Sequence, residues 1–135
     1  MNNYELIHEP PSVEAYLHLR AATGLSAKSF EAATRGLAGT WYGVHICTAN
    51  ETIAMGRIIG DGGCFFQVVD IAVLPAYQGQ GLGTQIMRAL MEHLEAVAPP
   101  SAFVSLLADG KAPQLYQKFG FTLSAPASVG MFKRL

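Results

Sequence analysis

Val73-Leu74-Pro75-Ala76-Tyr77-Gln78-Gly79-Gln80-Gly81-Leu82-Gly83-Thr84 is the junction on which the fold turns, because it leads from an apolar strand into a long amphipathic helix. Upstream, Phe65-Phe66-Gln67-Val68-Val69-Asp70-Ile71-Ala72-Val73 is apolar on both parities except at Gln67 and Asp70, which predicts a central strand covered on both faces. Downstream, Ile86, Met87, Leu90, Met91, Leu94 and Val97 recur at helical spacing, while Gln85, Arg88, Glu92, His93 and Glu95 fill the other face. A helix that opens in a glycine-rich turn aims its unpaired first-turn amides and its positive dipole end at whatever sits there, so the turn reads as an anion site, with a plain tight turn as the alternative. Glycine is needed because a side chain would hold phosphate oxygens away from the amides. Each amide bonded to a charged oxygen contributes about 1.5–3 kcal/mol, so four or five of them hold a diphosphate without a lysine. The loop has no lysine, unlike a P-loop, and its glycines run G-x-G-x-G at Gly79, Gly81 and Gly83, unlike the G-x-G-x-x-G of a dinucleotide fold.

Working outward, Tyr4 to His8 is a short strand stopped by Pro10-Pro11, and Ser12 caps a helix carrying Val13, Tyr16, Leu17 and Leu19 that Gly24 closes. A second helix is expected over 26–37, ended by Gly39. Residues 41–49 and 52–60 read as a hairpin turning at Asn50-Glu51, and Asp61-Gly62-Gly63 makes the next reversal. After Pro99-Pro100 come a buried strand over 102–107, a short helix over 112–119 stopped by Gly120, and two terminal strands near 121–124 and 129–133. The order β-α-α-β-β-β-α-β-α-β-β describes one mixed α/β domain over residues 1–135, with helices on both faces of a largely antiparallel sheet.

Half of the 135 residues are hydrophobic, 14% are charged, and the formal net charge is −1, so a broad basic footprint for nucleic acid or an anionic membrane is missing. No segment approaches the roughly 20 apolar residues of a membrane helix. Cys47 and Cys64 form neither a C-x-x-C pair nor a metal-ligand spacing, and read as reduced thiols. These features predict a cytoplasmic protein with no metal.

The stretch from Val73 to Gly83 resembles the acyl-CoA motif of the GNAT superfamily of N-acetyltransferases, [QR]-x-x-G-x-[GA] preceded by V-x-P. Ala112-Pro113-Gln114-Leu115-Tyr116-Gln117-Lys118-Phe119-Gly120-Phe121 is similar to that family's second signature, A-x-x-L-Y-x-K-x-G-F, in the expected order. Met55 to Gly63 also resembles a pattern in a compact bacterial branch of the superfamily. The resemblance implies a GNAT-like fold. It implies acetyl-CoA as acyl donor, held by Gln78, Gly79, Gln80, Gly81, Leu82, Gly83 and Thr84 at the diphosphate, by Ile71, Ala72 and Val73 along the pantetheine arm, and by Ala112 and Tyr116. It further implies a small-molecule or peptide amine as acceptor, direct attack in a ternary complex, and the option of a homodimer to which Val129, Met131 and Phe132 would contribute. Many members carry Asn where this chain has Asp109, which is therefore left out of the donor site.

Within that reading Tyr116 is the candidate acid for the leaving thiolate, since Ala112, Leu115, Tyr116 and Phe119 share one helix face; a core tyrosine is the alternative. Asp70, the lone carboxylate of its strand, is the candidate catalytic base or ammonium anchor, with a structural aspartate as the alternative. Arg57 clamps an acceptor carboxylate or pairs with Asp70 or Asp61, the pairing being favoured. Trp41 and Tyr42 wall the acceptor pocket or pack in the core, His45 faces the cleft or, as is favoured, is packed or surface-exposed, and His8, His18 and His93 carry no functional claim. The competing function is a catalytically weak acyl-CoA-binding or sensor module, which needs the glycine loop but neither acid nor base.

Overall fold

Ser12 and Ser29 each accept the backbone N–H three residues on, from Ala15 at 3.2 Å and Ala32 at 3.0 Å, and so fix where the first two helices start. In the computed structural model, which describes residues 3–109 and 112–135, the elements are β1 (Glu5–Ile7), α1 (Val13–Thr23), α2 (Phe30–Ala38), β2 (Tyr42–Thr48), β3 (Glu51–Gly60), β4 (Phe65–Val73), α3 (Leu82–Val97), β5 (Phe103–Leu106) and α4 (Pro113–Gln117). A 3₁₀ turn at Pro75–Tyr77 separates β4 from the glycine loop.

The sheet order is β1-β2-β3-β4-β5, antiparallel up to β4 and parallel between β4 and β5. The parallel step follows from the long crossover through α3, since parallel neighbours cannot be joined by a tight hairpin. On one face α3 packs on β2, β3 and β4, burying Leu82, Ile86, Met87, Leu90 and Leu94. Full burial of such side chains stabilises by about 1.5–3 kcal/mol each. On the other face α1 crosses β3 and β4 and carries α2 beside it. The mixed α/β sandwich with helices on both faces is as the sequence predicts.

Two features of β4 place the site. Its pairing with β5 ends at Val68↔Leu106, so from Val69 to Val73 its β5-side edge is open. On its other side, the register with β3 jumps from Arg57↔Val69 to Met55↔Ala72, setting Asp70 and Ile71 against Gly56 alone. This bulge puts Asp70 in the left-handed region at φ 61°. It also switches the faces. Phe66 packs on Trp41 beside His93 of α3, and strict alternation would send Asp70 to that same face, yet Asp70 reaches α1 while Ile71 turns to α3. Gly56 is required opposite the bulge: a Cβ there would lie 2.5 Å from Ile86 Cγ2 and 2.7 Å from Ile71 Cδ1.

Several expected boundaries move. The second helix begins at Phe30, not at residue 26, because Ser26 is engaged by the Arg20 guanidinium through both its carbonyl and its hydroxyl. The first hairpin turns at Ala49-Asn50, both at positive φ, and Glu51 already belongs to β3. The fifth strand and fourth helix are shorter than expected, at Phe103–Leu106 and Pro113–Gln117. The two terminal strands are not formed: residues 121–135 contain no strand, and Leu123, Val129, Met131 and Phe132 are exposed. A strand persists only where an edge supplies ladder hydrogen bonds, and this segment instead closes on itself, with the Ser128 N–H donating to the Ser124 carbonyl at 3.0 Å.

Candidate active site

The glycine loop is built to present bare backbone. Gly79 and Gly81 stand at φ 81° and 82°, and a Cβ added to either would meet nothing within 4 Å, so both face open space. Gly81 caps α3 without a side-chain hydrogen bond, and the first turn of the helix holds no acidic residue. The first helical bond runs from the Gln85 N–H to the Gly81 carbonyl, so the amides before Gln85 in that turn lack intrahelical acceptors. Gln78 donates through Nε2 to the Val73 carbonyl at 3.0 Å, tying the loop back to the end of β4. Tyr4 of the N-terminal segment donates to the Gln80 side chain and packs edge-on against Tyr77. The arrangement suits an anion of diphosphate size, and the open edge of β4 over Ile71, Ala72 and Val73 leads away from it.

α4 leans on the same corner, since Gly83 lies against Leu115, its Cβ position 3.7 Å from the leucine Cδ2. Ala112 caps α4 and is half-buried. Tyr116, one turn on, is half-buried against Phe121, with ring centroids 6.4 Å apart. Burial, and then the charge of Asp109, raise its hydroxyl above the ordinary tyrosine value of 10.0, so it keeps its proton at neutral pH. A cavity of about 450 Å³ runs from Tyr116 to Gln67 and along β5. The expected donor-side residues are therefore brought together around the end of β4, the loop and α4.

A second cavity, of about 770 Å³, opens on the α1/α2 face and shares Gln67 and Leu107 with the first. Its floor is a buried charge cluster. Asp70 accepts from Arg20 on one carboxylate oxygen, and on the other from Arg57 at 2.7 Å and the Tyr16 hydroxyl at 2.8 Å. Arg57 also donates to Thr40 Oγ1 at 2.9 Å and to the Gly36 carbonyl at 2.7 Å, which ties α2 to β3. Both guanidinium carbons lie 5.6 Å from the Tyr16 ring centroid, within cation–π range. Burial first, and then the Asp70 charge, raise the Tyr16 hydroxyl, which stays a donor. Arg57 thus pairs with Asp70, whereas Asp61 accepts the amides of Gly63, Cys64 and Phe65, and these bonds lower its carboxyl.

Sequence reasoning missed Tyr16 and Arg20. The available signal was a cation one turn after a tyrosine on the apolar side of a helix, together with a second cation mid-strand at Arg57. Trp41 and Tyr42 do not line this second cavity; Trp41 packs on Phe66, and Tyr42 stacks on His93 at 3.8 Å. His45 bonds the Glu9 carbonyl at 2.6 Å. Among the described residues no group of three or more His, Cys, Asp or Glu is arranged to hold a metal ion, and no helix is long and apolar enough to cross a membrane.

Residues 40–123, which include the bulged strand, the loop and α4, match the family model of the acetyltransferase (GNAT) domain. The chain belongs to the GNAT family of acetyltransferases. A GNAT-type architecture spans nearly its whole length. A crystal structure from methicillin-resistant Staphylococcus aureus, of a protein of unknown function described as a probable acetyltransferase, is 43% identical, with TM-score 0.93 over 98% of this chain and 99% of that one. A GNAT-family acetyltransferase from Streptococcus pneumoniae shares the fold at TM-score 0.76 and 24% identity, over 98% of each chain. The chloroplastic GCN5-related N-acetyltransferase 2 of Arabidopsis thaliana is 34% identical over 82 residues, 61% of this chain and 31% of that protein. The matched region is about a third of the length of such curated relatives.

Proposed function

We propose that this GNAT acetyltransferase moves an acetyl group from acetyl-CoA to a primary amine by direct attack in a ternary complex. The observation that carries the reading is the uncapped, glycine-lined start of α3 beside the open edge of β4. Acetyl-CoA supplies a thioester, whose acyl group is activated toward amines. The amides of residues 79–84 bind the diphosphate, and the β4 edge at Ile71–Val73 holds the amide-bearing arm in extended form. Tyr116, which holds its proton at neutral pH, donates it to the departing thiolate as the C–S bond breaks, and the tyrosinate so formed is reprotonated by the N–H proton that the newly acylated nitrogen sheds.

The base role expected of Asp70 is replaced in this proposal by a positioning role. Both of its oxygens are engaged by three donors, so it serves to set Arg20 and Arg57 against the cavity floor. Attack then requires an amine that has already lost its proton, and the rate rises with pH toward the acceptor's own pKa.

The test is release of free coenzyme A from acetyl-CoA across a panel of amino acids, amino sugars, aralkylamines, polyamines and peptides. Acetylation of at least one class, with product verified by mass, is expected. Acetyl-CoA binding without release on any amine would favour the sensor module instead.

A further inference from the structure

The cavity on the α1/α2 face carries an excess of positive charge that its own protein does not neutralise. Arg20 and Arg57 are 6% and 5% exposed and share the single carboxylate of Asp70. A guanidinium stays charged at any physiological pH, so the floor retains one unmatched cation in a desolvated setting. The wall adds the exposed Lys28, from the segment between α1 and α2, and Arg134 of the C-terminal segment, against the one further carboxylate of Asp109. Among the described residues neither Lys28 nor Arg134 forms an ion pair with a carboxylate. Four cations face two carboxylates around one opening. Since the cavity meets the Tyr116 side at Gln67 and Leu107, a molecule seated in it can present an amine at the divergence of β4 and β5.

We infer that the acceptor is an amine that also carries an anionic group, a carboxylate or a phosphate, which sits over the Arg20–Asp70–Arg57 floor while its amine points toward the end of the β4–β5 pairing. This assignment rests on the acetyl-transfer reading and narrows its acceptor. The pinned guanidiniums suit the role: Arg20 is held by Ser26, and Arg57 by Thr40 and Gly36, so neither must be ordered when the anion arrives. The same charge disfavours polyamines, whose second ammonium would meet the cationic floor.

The experiment compares acceptors paired by their anionic group, L-phenylalanine with L-phenylalaninamide and O-phosphoethanolamine with ethanolamine, with spermidine as polycationic control, each rate being expressed per free-base amine because the anionic group also raises the amine's pKa. Initial rates of coenzyme A release are expected to favour the anionic member of at least one pair by about tenfold or more in kcat/KM, mainly through KM, with the preference shrinking as salt rises. The exposed-rim double variant Lys28→Ala/Arg134→Ala should cut that preference severalfold. Equal use of both members, preference for the neutral amine or spermidine, or a preference unmoved in the double variant would overturn the inference. Calorimetric titration of the same pairs into protein saturated with free coenzyme A, which fills the loop at α3 but has no acetyl group to transfer, provides a readout without turnover. Binding of the anionic members alone supports the inference, and equal or no binding overturns it. Failure of acetyl-CoA itself to bind sinks the donor assignment, while the paired titrations still decide the anion site.

Discussion

Replacing Asp70 by asparagine removes the one anion that two buried guanidiniums share. The side chains of Arg20, Arg57 and Asp70 are 7%, 7% and 9% exposed, so water replaces little of what is lost. The new amide offers one oxygen where three donors converge. Turned toward Arg57 and Tyr16, it leaves its NH₂ facing Arg20, donor against donor. Leaving buried charge uncompensated in this way costs about 3–5 kcal/mol, a large share of a typical total stability of about 5–15 kcal/mol. With a urea slope of about 2 kcal/mol per molar, the unfolding midpoint of Asp70→Asn falls by about 1.5–2.5 M. The control is Glu31→Gln, which breaks the Glu31–Arg35 pair on the surface of α2, where the two side chains are 73% and 80% exposed; an exposed helical pair contributes about 0.3–0.5 kcal/mol. Urea unfolding followed by far-UV circular dichroism measures both. If Asp70→Asn moved the midpoint no further than Glu31→Gln does, the bonds of Asp70 to Arg20 and Arg57 would not hold α1 and β3 to β4.

Tyr116→Phe should lower kcat, by at most about 10²- to 10⁴-fold, and leave acetyl-CoA affinity nearly unchanged in calorimetry; equal turnover would remove the acid role. Because burial and Asp109 raise the Tyr116 pKa, its protonated form persists through pH 10.0 and the loss of rate assigned to it lies above that value. A fall below pH 10 in the wild type that Tyr116→Phe abolishes would contradict the sign. Gly56→Ala places a methyl 2.5 Å from Ile86 and should destabilise by about 1–3 kcal/mol through overpacking, read in the same urea assay. A neutral effect would mean that β3 and α3 separate more easily than their packing implies.

The parts of the fold legible in the sequence are those whose cause is local. The helix after Gly81 is fixed by its 3.6-residue period, and the loop by its three glycines, both readable within about twenty residues. The β4 bulge was not legible, because it depends on register against β3. Its trace was a polar residue, Asp70, interrupting an apolar run, from which a carboxylate near the cleft could be inferred but not the two arginines that enclose it. Arg20 lies 50 residues from Asp70 in sequence, and no periodicity links them. The start of α2 shifted for the same kind of reason, a side chain from α1 capturing Ser26. The terminal segment had the composition of strands, but strand formation is settled by a neighbouring edge, which composition does not contain.

Calorimetric titration of acetyl-CoA into the wild type, Gly81→Ala and Gly81→Glu tests the donor site most directly. Both variants share the strain of an L-residue at φ 82°, about 1–2 kcal/mol, and both side chains enter open space, so they differ in a carboxylate at the positive end of α3 where the diphosphate is placed. Binding by the wild type, weaker binding by Gly81→Ala and none by Gly81→Glu is the expected result. Equal affinity in all three, or no binding by the wild type, would contradict it.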